Sequence, residues 1–292
     1  MEAERATTRL RRRLAAERIL IAPGVYDGLT ATLARDAGCE AVYLTGAGVA
    51  YTTLGQPDLG LLGLAEMAQR VAWVAEAAQV PVIADGDTGF GNAVNVMHTV
   101  REYERAGAAA IQLEDQVFPK RCGHLAGKEI ISAAEMAGKI AAACAARRDP
   151  DFVVIARTDA LALRGLDEAL RRGQLYAEAG ADVIFIEAPR TPEEMAAIPA
   201  SQGKPCLVNM VEGGRTPLLS AAELEALGFR VVIFPNAVTR LLARTAQAAY
   251  RHLQGTGDSR PLIDGMMLFD EINRLLGLPE LLALGERFTP KE

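Results

Sequence analysis

The stretch Val94-Asn95-Val96-Met97-His98-Thr99-Val100-Arg101-Glu102-Tyr103-Glu104-Arg105-Ala106-Gly107-Ala108-Ala109-Ala110-Ile111-Gln112-Leu113-Glu114-Asp115 decides the fold. Apolar side chains recur at helical spacing as far as Ala106, and Gly107 supplies a helix stop. A short apolar run, 110–113, follows and ends directly on two carboxylates. Helix, glycine, short strand buried on both faces: this is the repeating unit of a parallel α/β fold. Outward from it the unit recurs. Apolar runs at 19–22, 41–44, 81–84, 152–156, 182–186, 206–208 and 231–234 bring the number of strands to eight. Helical segments such as 64–78 lie between them, and Ala179-Gly180 and Leu227-Gly228 repeat the glycine stop.

Eight such units in 292 residues, with no Pro/Ser/Gly linker, predict one (β/α)8 TIM-type barrel domain over 1–292. A helix over 1–18 precedes it, and a helical tail at 262–288 exceeds what a barrel needs, so the tail is expected to pack on another surface such as a partner subunit. Two βα intervals, 46–60 and 118–128, are long, which places them at the C-terminal face where barrel active sites are built.

Composition narrows the partners. Apolar residues at 50% and charged residues at 23% exclude disorder as the dominant state. Thirty-one basic against 37 acidic residues give a net charge of −6, which argues against nucleic acid or an anionic membrane as main partner. No apolar run approaches the roughly 18 residues of a membrane span. Cys39, Cys122, Cys144 and Cys206 are scattered, so a reducing cytoplasm is expected. Arg9, Arg11, Arg12, Arg13 and Arg18 are interleaved with glutamates and precede no apolar stretch; they predict an amphipathic helix with a solvated basic face.

The chemistry sits at the strand ends. Tyr43 and Thr45, Asp85 and Asp87, Glu114, Arg157, Glu187 and Asn209 end strands two to seven. Burying that many polar groups by chance costs several kcal/mol each, on the order of a domain's whole stability, so their convergence on one barrel mouth points to function. In Ala84-Asp85-Gly86-Asp87-Thr88-Gly89 alternation turns both aspartates the same way, with Glu114-Asp115 one strand on and Asp58 in the long loop. Crowded carboxylates need a cation, and oxygen-only ligands suit Mg²⁺ or Mn²⁺; capping of the next helix is the alternative reading of the aspartates. Zinc is disfavoured because Cys122 and His124 have no second pair at ligand spacing. In Lys120-Arg121-Cys122-Gly123-His124 basic residues flank a thiol and are expected to lower its pKa and hold it near an anionic substrate. Cys39, Cys144, Cys206, His98 and His252 read as packing residues. Gly46-Ala47-Gly48 lacks the rest of a dinucleotide fingerprint, and neither a phosphate-binding P-loop nor a Gly-x-Ser-x-Gly elbow is present.

On these residues the chain resembles the isocitrate lyase and phosphoenolpyruvate mutase superfamily, from Pro23-Gly24-Val25-Tyr26-Asp27 to the tail. Lys120-Arg121-Cys122-Gly123-His124-Leu125 matches the lyase signature, which the mutase, phosphonopyruvate hydrolase and oxaloacetate decarboxylase branches lack. Tyr43-Leu44-Thr45-Gly46-Ala47-Gly48 resembles the carboxylate-binding loop, and Glu114-Asp115-Gln116 and Asn209-Met210-Val211-Glu212-Gly213-Gly214 resemble the short bacterial lyases.

The resemblance implies a barrel whose C-terminal helix swaps between subunits of a homotetramer. It implies Mg²⁺ bound by Asp85, with Asp58, Asp87 and Glu114 holding its waters. Thr45, Gly46, Ala47, Lys120, Gly123 and Arg157 would bind the substrate carboxylate, and Glu187, Asn209 and Arg240 the other half. The implied reaction cleaves a 2-hydroxy acid of 2-methylisocitrate or 2,3-dimethylmalate type to pyruvate and a carboxylate such as succinate or propionate. Tyr43 would be a proton relay, Arg121 and His124 would stabilise the carbanion, Cys122 would protonate it, and the 118–128 loop would close over the site. Hydrolysis or decarboxylation of oxaloacetate, or phosphonate chemistry, is the alternative on the same barrel. Val211 in place of the usual Thr favours a less polar substrate, whereas Arg240 favours a tricarboxylate; both remain open.

Overall fold

The computed structural model describes residues 4–123 and 127–289. Helix α1 (Ala6–Ala15) precedes β1 (Leu20–Val25) and α2 (Gly28–Asp36); β2 (Val42–Leu44) is followed by α3 (Gly46–Leu54) and α4 (Leu64–Ala78). Then come β3 (Val82–Asp85), α5 (Ala93–Arg105), β4 (Ala110–Glu114), α6 (Ala133–Ala146), β5 (Val153–Thr158), α7 (Leu161–Arg164) and α8 (Leu166–Glu178). The series continues with β6 (Val183–Ile186), α9 (Pro192–Gln202), β7 (Cys206–Asn209), α10 (Ala221–Ala226), β8 (Val231–Phe234) and α11 (Ala237–Thr256). All eight strands are parallel, and β8 pairs back onto β1 through Leu20–Val231 and Ala22–Ile233, which closes the barrel.

Every apolar run of the sequence is a strand, with ends displaced by a few residues. The displacement has a direction: β3, β4, β5 and β7 run on to include Asp85, Glu114, Thr158 and Asn209. The ladder therefore carries the polar side chains to the rim. β1 likewise continues through Pro23 and Gly24 because β8 and β2 pair with it there.

Two apolar clusters make the core. One lies between strands and helices and includes Tyr103, Tyr176, Phe152 and Phe229. The other fills the barrel and is closed from below by Leu10 and Leu14 of α1, which pack with Leu20, Ile83, Ile155, Phe185 and Leu207. The basic face of α1 is not simply solvated, as the sequence suggested. Arg5 pairs with Asp149 at 2.7 Å and Asp151 at 2.9 Å, Arg11 with Asp182 at 2.8 Å, and Arg13 with Glu40 at 3.1 Å. Acids on the loops under the barrel thus hold the plug in register.

The chain falls into two compact units, 1–238 and 239–292, so the second begins within α11 rather than at residue 262. It contains most of α11, a 3₁₀ turn (Arg260–Gly265), α12 (Phe269–Leu275) and α13 (Leu278–Phe288). No described side chain of α12 or α13 is buried, although Phe269, Leu281, Leu282 and Phe288 are apolar. Among the described residues no helix is long and apolar enough to cross a membrane.

Truncating the plug tests this packing. Leu10→Ala should lower the free energy of unfolding by about 2–5 kcal/mol in a urea titration. A cost under about 0.5 kcal/mol, typical of surface positions, would mean that α1 does not close the barrel.

Candidate active site

The C-terminal ends of β2 to β7 form one polar rim. At β3, Asp85 is held on three sides: its Oδ2 accepts from the Gly46 amide at 3.2 Å, and its Oδ1 from the Asp87 amide at 3.1 Å and from Gln112 Nε2 at 3.5 Å. Gly46 opens α3, whose N-cap Thr45 accepts from the Gly48 amide at 3.2 Å. The N-terminus of α3 is therefore aimed at the carboxylates, a disposition that suits an anion beside them. After Asp85 the chain turns sharply. Gly86 lies so close to the Gln112 carbonyl of β4 that a Cβ would stand 2.8 Å from it, and Asp87 takes a left-handed conformation with φ +47°.

Asp87 and Glu114 are buried beside each other, with the Glu114 amide donating to the Asp87 carbonyl at 2.9 Å. Burial raises the Asp87 carboxyl to about 6; Lys120 opposes this while Asp85 and Asp58 reinforce it. Burial likewise pushes Glu114 well above the carboxylate range, against Arg157 and Lys120. The Lys120 ammonium is drawn into this cluster, 2.5 Å from Asp58 Oδ1 and 2.8 Å from Asp87 Oδ1. Its burial works against the charge, but Asp87, Asp58, Glu114 and Asp85 outweigh it and hold the pKa well above the usual lysine value.

Arg157 answers from β5. Its Nη1 faces Glu114 Oε2 at 3.2 Å and Glu187 Oε2 at 3.4 Å, and its Nε and Nη2 donate to Asp159 at 3.0 and 3.2 Å. Asn209 Nδ2 donates to Glu187 at 3.3 Å. Below the rim, Tyr43 donates to Gln112 Oε1 at 3.0 Å, and Tyr103 donates to the Asp85 carbonyl at 2.8 Å. Burial, then Asp85, lifts the Tyr43 phenol well above its ordinary value, so near neutral pH it stays a proton donor.

The long segment after β4 is a closed excursion. Gln116 bridges Ile130, Val117 donates to Glu129 at 2.8 Å, and the Gln116 amide side chain bonds both the Arg121 N–H and its carbonyl. Within it Cys122 is half-buried, and Gly123 is packed so tightly on the Arg157 guanidinium and the Glu187 side chain that a Cβ has no room. Arg121 is exposed, with its guanidinium lying against Gly127. His124 lies outside the described residues. Arg240 is exposed and belongs to the second unit. Thus the structure gathers Tyr43, Thr45, Gly46, Asp58, Asp85, Asp87, Glu114, Lys120, Gly123, Arg157, Glu187 and Asn209, and Ala47 sits buried in the first turn of α3.

The donor set suits a hard cation. Among the described residues the buried Glu114 Oε1 has no hydrogen-bond partner, and Asp87 Oδ1 stands 2.8 Å from the Lys120 ammonium. Among the described residues no three His, Cys, Asp or Glu side chains converge tightly enough to wrap an ion by themselves. Oxygen donors of this kind fit an ion such as Mg²⁺, which keeps several waters and takes one or two carboxylates directly.

Sequence reasoning missed three residues, Gln112, Asp159 and Lys128, and grouped a fourth, Asp115, with the carboxylates of the mouth. Gln112 lies two before Glu114 and Asp159 two beyond Arg157, positions that strand alternation could have found. Lys128 pairs with Asp159 at 2.6 Å across 31 residues of chain, a contact with no sequence signal. Asp115, fully buried, accepts from Thr158 at 2.7 Å, the Asp159 amide at 2.9 Å, Arg172 at 2.9 Å and Tyr176 at 2.8 Å. It ties the rim to α8.

Comparison with known proteins gives a consistent picture. The family model described as phosphoenolpyruvate phosphomutase matches residues 10–254. A 2,3-dimethylmalate lyase of Eubacterium barkeri is 51% identical over 94% of both chains. A 2-methylisocitrate lyase of Aeropyrum pernix is 44% identical over 94% of this chain and 88% of its own. Among solved structures, oxaloacetate acetylhydrolase with 3,3-difluorooxalacetate superposes with a TM-score of 0.93 at 37% identity over 98% of each chain. A 2,3-dimethylmalate lyase, titled a PEP mutase/isocitrate lyase superfamily member, gives 0.92 at 40% identity, covering 98% of this chain and 96% of that one. Phosphonopyruvate hydrolase with oxalate and Mg²⁺ gives 0.88 at 35% identity, covering 98% and 99%.

Two neighbouring arginines test the strut beneath the rim. Arg172→Met leaves the buried Asp115 carboxylate without its cation and should cost about 3 kcal/mol of unfolding free energy. Arg171→Met removes only an exposed pair with Glu168 and should leave stability unchanged. Equal losses in the two urea titrations would contradict the strut.

Proposed function

The chain belongs to the phosphoenolpyruvate mutase/isocitrate lyase superfamily, and from that premise we propose that it is a divalent-metal-dependent carbon–carbon lyase. Its substrate is a substituted 2-hydroxy di- or tricarboxylate of 2,3-dimethylmalate or 2-methylisocitrate type, cleaved to pyruvate and a second carboxylate. The observation that carries this reading is the Lys120 bridge, because it draws the segment bearing Cys122 onto Asp58 and Asp87.

Asp85 would hold Mg²⁺, or Mn²⁺, directly, with Asp58, Asp87 and Glu114 reaching it through waters; the Mg²⁺ in the phosphonopyruvate hydrolase structure supports the choice. When bound, the ion acidifies the hydroxyl of a chelating 2-hydroxy acid and steadies the charge left there. The residues of the chain do the rest. The N-terminus of α3, at Thr45, Gly46 and Ala47, and the fixed charge of Arg157 orient the carboxylate. Tyr43, through Gln112, keeps Asp85 in place. With Tyr43 as relay the hydroxyl proton passes out to solvent, its carbon becomes the carbonyl of pyruvate, and the electron pair of the broken C–C bond stays on the departing carbon. Cys122 Sγ–H protonates that carbon and is left as thiolate. Arg121 and His124, neighbours of Cys122 in the sequence, would supply positive charge for the carbanion; Glu187 and Asn209 face the departing half. The seating of Gly123 on Arg157 and Glu187 excludes water while the carbanion exists.

A homotetramer with exchanged C-terminal helices accounts for the uncovered apolar side chains of α12 and α13. Four scattered cysteines, with no Cys-x-x-Cys pair, suit a reducing cytoplasm. Hydrolysis of oxaloacetate is the second reading, favoured by the likeness to oxaloacetate acetylhydrolase.

A coupled pyruvate-release assay with Mg²⁺, run beside an assay for oxalate formed from oxaloacetate, separates the two. The wild-type chain should turn over 2,3-dimethylmalate or 2-methylisocitrate, and Cys122→Ser should lower kcat by about 10²–10⁴-fold. Turnover of oxaloacetate alone, indifferent to Cys122, would overturn the lyase.

A further inference from the structure

We propose that Lys128 and Asp159 form a positioning pair that fixes the thiol-bearing segment 120–123 over Arg157; the inference rests on the lyase reading of the same mouth. Lys128 stands where the excursion after β4 returns to the barrel. Its ammonium is 2% exposed and donates to Asp159 Oδ1 at 2.6 Å and to the Gly123 carbonyl. Asp159 is fully buried and shared: the same carboxylate accepts from Nε and Nη2 of Arg157, and its amide donates to Asp115 at 2.9 Å. One carboxylate thus sets the position of the loop cation and of the mouth cation together.

Anchorage of the excursion does not by itself account for this pair. The base is already tied by the Gln116–Ile130 bridge and by the bonds Val117–Glu129 and Ile131–Asp115. A buried ion pair adds little stability over a well-packed apolar pair, whereas it fixes direction. The direction here runs from Asp115 through Asp159 to Lys128, and from Lys128 to the carbonyl of the residue after Cys122. On the other branch Asp159 orients Arg157, whose remaining nitrogen faces Glu114 and Glu187. Gly123 rests on that same guanidinium. If Lys128 is lost, the thiol segment and Arg157 lose their common reference, and a displacement of about 1 Å at such a site costs on the order of 10²-fold in rate.

The test uses the full chain and the variants Lys128→Met, Lys128→Arg and Lys128→Met/Asp159→Asn. The double variant buries no lone charge, so it keeps the test valid if Lys128→Met unfolds. Two readouts are taken on folded protein: trypsin cleavage after Lys120 and Arg121 without ligand, and kcat and KM on an acid that the wild type turns over. The expected result for the double variant is cleavage about tenfold faster than wild type, reporting a more open segment. Its kcat should fall about 10²-fold with KM little changed, and Lys128→Arg should recover most of both. Wild-type cleavage and kcat in the double variant, or a Lys128→Arg no better than Lys128→Met, would overturn the pair. Failure of the wild type to cleave any acid would contradict the lyase alone, since the proteolysis still decides for or against the pair.

Discussion

Charge buried at one end of a barrel is the constraint on which the rest depends. Asp58, Asp85, Asp87 and Glu114 lie within one mouth, and Lys120 and Arg157 are the cations that face them there. Burial raises the Asp87 carboxyl to about 6 and pushes Glu114 well above its ordinary value, and neighbouring carboxylates add to both shifts. An arrangement this costly persists only where something offsets it. The closed parallel sheet makes it possible, because it delivers the C-terminal ends of β2 to β7 to a single rim.

The same constraint explains the loop. Lys120 is attracted by the carboxylates, and with it comes the segment that carries Cys122. Gly123 then has to pass under any side-chain bulk, and the glycine allows contact with Arg157 and Glu187. Charge neutralisation and the seating of the segment that carries Cys122 are thereby one event. Asp115 and Asp159 supply the rigid backing, tied through Arg172 and Tyr176 to a helix of the outer layer.

Much of this was legible in the chain. The eight strands were readable because each is a short apolar run bounded by turn residues, and the rim carboxylates because each follows such a run directly. Gln112 and Asp159 escape that pattern, although each lies one alternation step from a rim residue, Glu114 and Arg157. Asp115 reads as a companion of Glu114, yet neighbouring strand residues face opposite ways, and its carboxylate meets α8 instead of the mouth. Lys120 with Asp58 and Lys128 with Asp159 join residues 62 and 31 positions apart, and only the folded barrel brings them together. The second unit was legible as surplus helix but not in its start, since α11 runs unbroken across the boundary.

Titration calorimetry of Mg²⁺ against the wild-type chain and Asp85→Asn is the most direct measurement. If the buried carboxylates exist to hold a divalent cation, the wild type binds one ion per chain and Asp85→Asn binds none at the same concentrations. Equal binding by the two proteins, or no binding by the wild type, would contradict the cation site and remove the reason for burying the charges.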